Sequence, residues 1–572
     1  MKISRIAALL PLLLAGAVSA AQDPFYTITE VATSSARGDA KFGPWALSIS
    51  GDGSTVSALA VKSNWYSYFR MAPSGMDLAH RFRYETACTD IPLSSAACDA
   101  YLDNSNYAAQ WFADLSSSNA DQTYNVIASG VDSDAISANV VAESEGIVTR
   151  YGRDDSEVTS VGYVSLSEHK RKAVATIADT SVDVTTGTDY AFASAYDIIP
   201  VGTDYLVLGS AGNKKSTAYT NCYSNSSIES NSKYCPGYET QAAFWLVNSA
   251  GVKTKQLATS YDTSETTDYP YTASAMKVAY VDGKYVAVGY SATEGDNSKP
   301  KNLATFWNLG TLSDGALPAA LGSKAIFVSS SDNPGTDEDI DIDNSWAVDI
   351  NSDGYIVGNR VYRKLVSRNY PTQMFVAKYD AGSQAITSTS IPVSTDGVNS
   401  EAAALNNSNQ VVGWTDERSV TTQPVYGSVP RLQEAFLYNI KTGSRYAIND
   451  LICSSTTSCA QGGKYYYIEY ANDILDDGTV LASARRFDNY DDWSTLSNGT
   501  NVVVKLAVSA STAFDANGDV PSAYVIDNQL PVFDYGASDS SSGGGSFGFF
   551  GLFAMAGAAL LGQYRRFVKK GS

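Results

Sequence analysis

Histidine is almost missing from this chain of 572 residues, with only His80 and His169 present. Chemistry that needs imidazole has little to draw on, so most routes to hydrolysis are thin. The usual catalytic signatures are missing too: there is no G-x-S-x-G elbow, no H-E-x-x-H helix and no C-x-x-C pair. Gly209-Ser-Ala-Gly212-Asn-Lys-Lys-Ser216 has the wrong spacing for a phosphate-binding loop. Ser50-Gly51-Asp52-Gly53-Ser54-Thr55-Val56 lacks the Asp-to-Gly spacing and the aromatic end of a sialidase-type Asp-box. Positive charge is also scarce. Forty Lys and Arg face 60 Asp and Glu, a balance of −20 that becomes −26 without the six basic residues of the two chain ends. A field of that sign repels phosphate backbones and anionic headgroups, which disfavours nucleic acid as a partner. Solubility in a secreted protein is the plain reason for the acidity.

What is present points to strands. A hydrophobic content of 44% with 11% aromatics supports a packed core and excludes a disordered or collagen-like chain. Thirty-seven Tyr against nineteen Phe, with 44 Gly, favours strands joined by tight turns.

The two ends read as sorting segments. Residues 1–20 carry a basic start (Lys2, Arg5), an apolar run from Ile6 to Val18 and a small-residue site at Val18-Ser19-Ala20, the pattern of a secretory signal peptide cut between Ala20 and Ala21. A retained membrane helix is the alternative, but the run is short and polar Gln22-Asp23 follows. Residues 536–546 form a Gly/Ser linker containing Gly543, Gly544, Gly545 and Ser546. Residues 547–572 hold an uncharged stretch from Phe547 to Gly562, then Arg565, Arg566, Lys569 and Lys570. Such a stretch can form a transmembrane helix whose basic end stays cytoplasmic, leaving the rest of the chain outside. The order of small residues, short apolar helix and basic end resembles the GlyGly-CTERM sorting signal of Gram-negative bacteria. That resemblance implies cutting near Gly543–Ser546 by a rhombosortase-like protease, after signal peptidase has acted at the other end, and export through type II secretion. A plain membrane anchor is the alternative.

Six Cys fall as three close pairs: Cys88 with Cys98, Cys222 with Cys235, and Cys453 with Cys459. In an exported chain each pair is expected to form a disulfide stapling a polar loop. Zinc is the alternative, but two distant His cannot complete such sites.

Between the ends, residues 21–535 repeat one phrase: a small residue, an apolar anchor, an Asp-Gly-like turn, then a Val-rich run ending in Gly. It is plainest at Ala347–Gly358, Ala402–Gly413 and Ala471–Ala482. Earlier copies are Ala46–Ala58, Ala195–Gly209 and Ala275–Gly289, with a weak one at Ala128–Ala138. The anchors are Ile49, Val131, Ile198, Val278, Ile350, Leu405 and Ile474, at uneven gaps of 55 to 82 residues that mark a fixed core with variable loops. Asp-Gly supplies the positive φ angles of a two-residue hairpin turn. An aromatic strand follows most copies, as at Ala243–Leu246, Ala304–Trp307, Met374–Val376 and Ala435–Tyr438. Four-stranded units in single file predict an all-β repeat array, a β-propeller of about seven blades, six to eight. Tyr26–Val31 is placed to complete the last blade. A β-sandwich array or a β-solenoid is the rival, though its units should be more equal in length.

The phrase Ala402–Gly413, followed by Ala435–Tyr438 and Ile448–Leu451, resembles the HAF repeat of bacterial extracellular proteins. With both end signals, the chain resembles the DUF3466 proteins of marine gammaproteobacteria, most closely from Ala347 to Leu451. That resemblance implies no activity and carries no catalytic residue.

The densest acidic cluster, Asp337, Asp339, Asp341 and Asp343, alternates along an extended segment and could offer oxygens to Ca²⁺, or form a solvated sheet edge. Asp515-Ala-Asn517-Gly518-Asp519 resembles half a calcium loop without the later Glu and reads better as a turn. Trp65–Phe69, Tyr465–Tyr467 and Tyr490–Trp493 could stack on sugar rings, although cross-strand packing is the commoner fate. The reading is an exported binding or scaffold protein for an extracellular polymer or protein, with no cofactor beyond that calcium option. A secreted two-carboxylate glycoside hydrolase or lyase and a membrane-tethered periplasmic structural protein are its alternatives.

Overall fold

The computed structural model describes residues 23–33, 42–61, 123–129, 138–140, 147–153, 159–165, 171–185, 190–214, 238–261, 271–294, 300–312, 315–327, 342–362, 372–390, 392, 398–416, 433–455, 458–496 and 498–525. All fall in one compact unit, Met1–Pro531.

The described chain is all-β. Strand β1 is Tyr26–Thr33, and antiparallel meanders follow. The first holds β2 (Phe42–Ile49), β3 (Thr55–Val61), β4 (Thr123–Ser129) and β5 (Ala138–Val140). The next two are β6 (Ile147–Tyr151), β7 (Ser160–Ser165), β8 (Arg171–Ile177) and β9 (Thr180–Asp183), then β10 (Phe192–Val201), β11 (Asp204–Gly212), β12 (Gln241–Asn248) and β13 (Gly251–Leu257). After them come β14 (Ala273–Val281), β15 (Lys284–Glu294), β16 (Pro300–Gly310) and β17 (Lys324–Ala325), followed by β18 (Ile342–Ile350), β19 (Tyr355–Tyr362), β20 (Thr372–Asp380) and β21 (Ala385–Ser390). The sixth meander is β22 (Ser400–Leu405), β23 (Gln410–Asp416), β24 (Gln433–Asn439) and β25 (Arg445–Ala447), with helix α1 (Ile448–Leu451) after it. The last has only three strands of its own, β26 (Tyr465–Ile474), β27 (Val480–Phe487) and β28 (Thr500–Val508), with helix α2 (Tyr490–Thr495) between β27 and β28. Strand β1 pairs antiparallel with β28 and supplies the fourth, from Tyr26 opposite Val508 to Thr33 opposite Val502. The N-terminal strand thus completes the last unit, as its position in the sequence suggests.

A single parallel pairing, Phe192 with Arg171, joins β6–β9 to β10–β13 as one eight-stranded sheet; the other sheets have four strands each. No sheet closes on itself among the described residues. Closure lies in packing instead. The first strand of each meander packs on the first strand of the next, and β26 packs back on β2. The arrangement is propeller-like, with apolar sheet faces buried against one another. Phe244 and Leu206 share one cluster with Val278 and Trp307, while Val286 and Phe306 share another with Ile350 and Phe375. Each fully buried anchor such as Ile350 contributes roughly 1.5–3 kcal/mol.

The repeat phrase has a physical cause in a shared irregularity. Every pairing of a first with a second strand carries a β-bulge at the same place, at Leu47, Thr149, Tyr196, Met276, Val348, Ala403 and Asn472. Beside the bulge a small residue faces the terminal Gly of the phrase, as in Ala195 with Gly209 and Ala402 with Gly413. A Cβ on Gly413 would lie 1.9 Å from the Glu401 carbonyl oxygen, which is why glycine ends the run there.

The turns differ in part from expectation. Asp282-Gly283 is the two-residue turn foreseen, with φ of 44° and 84°. Asp353-Gly354 closes a longer loop instead, and Asn351 accounts for its length. Its Oδ1 accepts from the Tyr355 N–H at 3.0 Å, while its Nδ2 donates to the Asn406 carbonyl of the next meander at 3.0 Å. Asn406 repeats the device, accepting from the Gln410 N–H at 2.8 Å and donating to the Leu475 carbonyl at 2.9 Å.

One repeat copy is misplaced by the sequence reading. Ala128 lies in β4 and Ala138 in β5, the third and fourth strands of the first meander; the true second unit begins at Ile147, with Tyr151 where the other copies have an aliphatic anchor. Val131 lies outside the described residues. The aromatic segments Ala243–Leu246, Ala304–Trp307, Met374–Val376 and Ala435–Tyr438 are third strands, buried between sheets.

Candidate functional site at the ring centre

The residue following each bulge, one place before the anchor, is Ser48, Arg150, Asp197, Lys277, Asp349, Ala404 and Asp473 in ring order. Hydrogen-bond acceptors alternate with residues that cannot accept, and each acceptor reaches the anchor of the next unit. Tyr151 N–H donates to Ser48 Oγ at 3.1 Å, and Val278 N–H to Asp197 Oδ2 at 2.9 Å. Leu405 N–H donates to Asp349 Oδ2 at 3.0 Å, and Ile49 N–H to Asp473 Oδ2 at 3.1 Å. The last bond joins the final unit to the first. Because the described first strands are odd in number, two acceptors meet there, and Ser48 Oγ donates to Asp473 Oδ2 at 3.0 Å.

Three cations balance the three carboxylates. Lys277 Nζ lies 3.1 Å from Asp197 Oδ1, Arg150 Nη1 lies 3.9 Å from Asp349 Oδ2, and Arg153 Nη2 bonds Asp473 Oδ1. Burial pushes the Asp349 carboxyl above the ordinary carboxylate range, opposed by Lys277, Arg150 and the Leu405 N–H. Burial acts in the same direction on Asp473, but Arg153, Arg150, the Ile49 N–H and Lys277 outweigh it and hold that carboxyl below its usual value. Burial alone would lower Arg150, yet Asp349, Asp473 and Asp197 together hold its guanidinium above the ordinary value. Glycoside hydrolysis by two carboxylates needs a proton donor and a free base or nucleophile facing one space. Each carboxylate here is engaged by a cation or by the backbone of two strands, so the set binds sheets together.

The meander places connections of two kinds at opposite ends of the ring. First-to-second and third-to-fourth turns, short in most units, share one end; the second-to-third and unit-to-unit connections, which include the longest, between β3 and β4, leave from the other. A cavity of about 690 Å³ at the tight-turn end is lined by Asp197 and Lys277, which stand before their anchors and so farther from the turns, and by Arg153, whose guanidinium reaches down to Asp473. Its rim includes Tyr280, Ser352, Asn407, Asp476 and Asp477. A shallower groove of about 910 Å³ at the same end is lined by Asp515–Gly518. There Asp515 Oδ1 accepts from the N–H groups of Asn517 and Asp519 at 2.8 and 2.9 Å, closing a turn.

Of the residues singled out in the sequence, Cys453 and Cys459 form a disulfide with Cα atoms 4.1 Å apart. Cys88, Cys98, Cys222 and Cys235 lie outside the described residues, as do Ala20, Ala21, Gly543, Gly544, Gly545 and Ser546, the segments 1–20, 536–546 and 547–572, and Trp65–Phe69. Asp337, Asp339 and Asp341 also lie outside them; Asp343 falls in β18, with its side chain not described. No group of three or more potential metal ligands occurs among the described residues, and no helix there is long and apolar enough to cross a membrane. Tyr466 and Tyr467 are core residues, but Tyr465 meets Tyr490 and Trp493 in one aromatic cluster, with ring centroids 5.6–5.9 Å apart. The central charged set escaped the sequence reading. Its signal was an acid before the anchor, repeated as Asp197-Ile198, Asp349-Ile350 and Asp473-Ile474.

The model of a family described as a protein of unknown function, DUF3466, matches residues 192–532. The chain belongs to the DUF3466 family. In this DUF3466 protein the matched region runs from the start of β10 past the end of β28 to residue 532. No curated protein matches the chain in sequence. Among solved structures, similarity is found to the β-propeller domain of the Trilobed protease from Pyrococcus furiosus, at 10% identity and a TM-score of 0.36, covering 79% of this chain and 95% of that one. The polysaccharide lyase Uly1 is similar at 10% identity and a TM-score of 0.30, over 63% of this chain and 89% of that one. The GH43 endo-arabinanase from Bacillus licheniformis follows at 10% and 0.24, over 52% and 94%. Likeness this distant assigns neither activity nor substrate to the DUF3466 chain.

Proposed function

We propose that this DUF3466 protein is an exported seven-bladed β-propeller acting as a binding scaffold, with the long connections at one end of the ring as its variable recognition surface. The observation that carries the reading is the engagement of Asp197, Asp349 and Asp473 in stitching one unit to the next. A centre built that way favours rigidity over turnover. Six meanders in β2–β25, with β26–β28 completed by β1, support that blade count. HAF-type repeats account for the Asn351 and Asn406 turn devices. In the same reading, residues 1–20 are a signal peptide, residues 547–572 are a sorting helix released by cleavage near Gly543–Ser546, and the mature chain reaches the cell surface or the medium.

The test expresses the full chain in a host with a working sorting system and measures its intact mass and cellular fraction. The expected product begins at Ala21, ends within Gly543–Ser546 and is found outside the inner membrane. A full-length tail in the inner membrane overturns the sorting assignment. Turnover of an extracellular polysaccharide by the mature protein, abolished by Asp197→Asn or Asp349→Asn in variants that stay folded, overturns the scaffold assignment.

A further inference from the structure

Among the described residues only Tyr280 and Tyr490 are aromatics with half their surface exposed, 50% and 53%. Tyr490 belongs to α2, at the long-connection end. Tyr280 is at the opposite end, on the rim of the central cavity, its ring 4.8 Å from that of Tyr285.

The hydrogen-bonding capacity of that cavity is divided by depth. At the floor it is donors that remain. Lys277 is 7% exposed, and its ammonium has three N–H groups but meets one side-chain acceptor, Asp197. Arg153 has five and meets one, Asp473. At the rim it is acceptors that remain. Asp477 uses Oδ1 for the Thr479 N–H, and Asp476 takes the two donors of Asn407, so both exposed carboxylates keep lone pairs to offer.

We propose that this cavity is a second binding site, additional to the long-connection surface, and that it takes an uncharged saccharide unit. A hydroxyl both gives and accepts, so a sugar ring can accept from Lys277 and Arg153 at its inner edge and donate to Asp476 and Asp477 at its outer edge. Its apolar face has the Tyr280 ring to stack on. An anionic sugar meets the rim carboxylates first, and a cationic one meets Lys277 and Arg153 below. The volume lies within the range of small-molecule sites, ~300–1,000 Å³.

The experiment titrates the mature protein, recovered from cells expressing the full chain, with cellotriose, maltotriose and laminaritriose, and with trigalacturonate and the chitosan trimer as charged controls, read by saturation-transfer NMR and calorimetry. At least one neutral trisaccharide is expected to bind at least tenfold more tightly than both charged ones. Tyr280→Ala, an exposed change that leaves the core intact, should weaken it about tenfold, and Tyr490→Ala should leave it unchanged. Absence of binding by all three neutral probes overturns the proposal, as does tighter binding of a charged one. Loss of binding in Tyr490→Ala with none in Tyr280→Ala also overturns it, while leaving the long-connection surface as the sugar site.

Discussion

Asp473→Asn tests whether the ring is held shut by its central carboxylates. Asp473 accepts from Ile49 N–H, Ser48 Oγ, its own Ile474 N–H and Arg153. An amide keeps one acceptor oxygen for the first unit. Its NH₂ then faces Arg153 and the Ile474 N–H, donor against donor. Hydrogen bonds to charged groups contribute ~1.5–3 kcal/mol each. Arg153, whose side chain is 28% exposed, recovers part of its loss through water. The net cost is about 3 kcal/mol. With an unfolding entropy of about 2.1 cal/mol/K per residue over roughly 500 residues, the midpoint should fall by about 3 °C. Ser48→Ala removes a neutral partner of the same junction and should cost about 1 kcal/mol, so near 1 °C. Differential scanning calorimetry of the mature protein at pH 7 reads both. A loss for Asp473→Asn no larger than that for Ser48→Ala would refute the assignment of this carboxylate as the closing contact.

The two buried acids should show opposite pH dependence. The Asp473 pKa is depressed on folding, so its contribution is complete above the unfolded value of about 3.9 and is lost as pH falls through the folded one. The wild-type advantage over Asp473→Asn should therefore shrink on acidification, in urea titrations across pH 2–7. The Asp349 pKa is raised, so its contribution is greatest below about pH 3.9 and diminishes as pH rises toward the folded value. Asp349→Asn should gain on the wild type over that interval, and a parallel pH response of the two variants counts against this assignment. Gly413→Ala places a Cβ 1.9 Å from the Glu401 carbonyl oxygen and should cost at least ~2 kcal/mol in the same denaturation assay. Replacing Cys453 and Cys459 by Ser removes a short cross-link, and a stability loss of about 2 kcal/mol is expected by denaturation under non-reducing conditions.

Much of the fold was legible because it is written in local rules. Asp282-Gly283 encodes a turn, Ala402 facing Gly413 encodes the close approach beside a bulge, and the aromatic runs encode third strands. The unit starting at Ile147 was missed because Tyr151 occupies the place where the other copies carry an aliphatic anchor. The central site was less legible still. Asp349, a few residues after the acidic run that ends at Asp343, looks like any solvated carboxylate; only the ring brings it opposite Arg150, and only the bulge turns it toward Leu405. The rim of the cavity gathers turns far apart in the chain, so no window of sequence contains Tyr280 together with Asp476.

The joining of both chain ends in one sheet sets an order on how the molecule can form. Tyr26 OH donates to the Gly478 carbonyl, 452 residues away, and Ser509 N–H donates to the Phe25 carbonyl at 2.9 Å. At ~5–20 residues per second the first strand waits roughly 20–90 s after its own synthesis for its neighbour to exist. During that interval Tyr26–Thr33 offers an unpaired edge to any passing strand. Chaperoning of one short N-terminal segment, more than the stability of any blade, would then set the yield of closed rings.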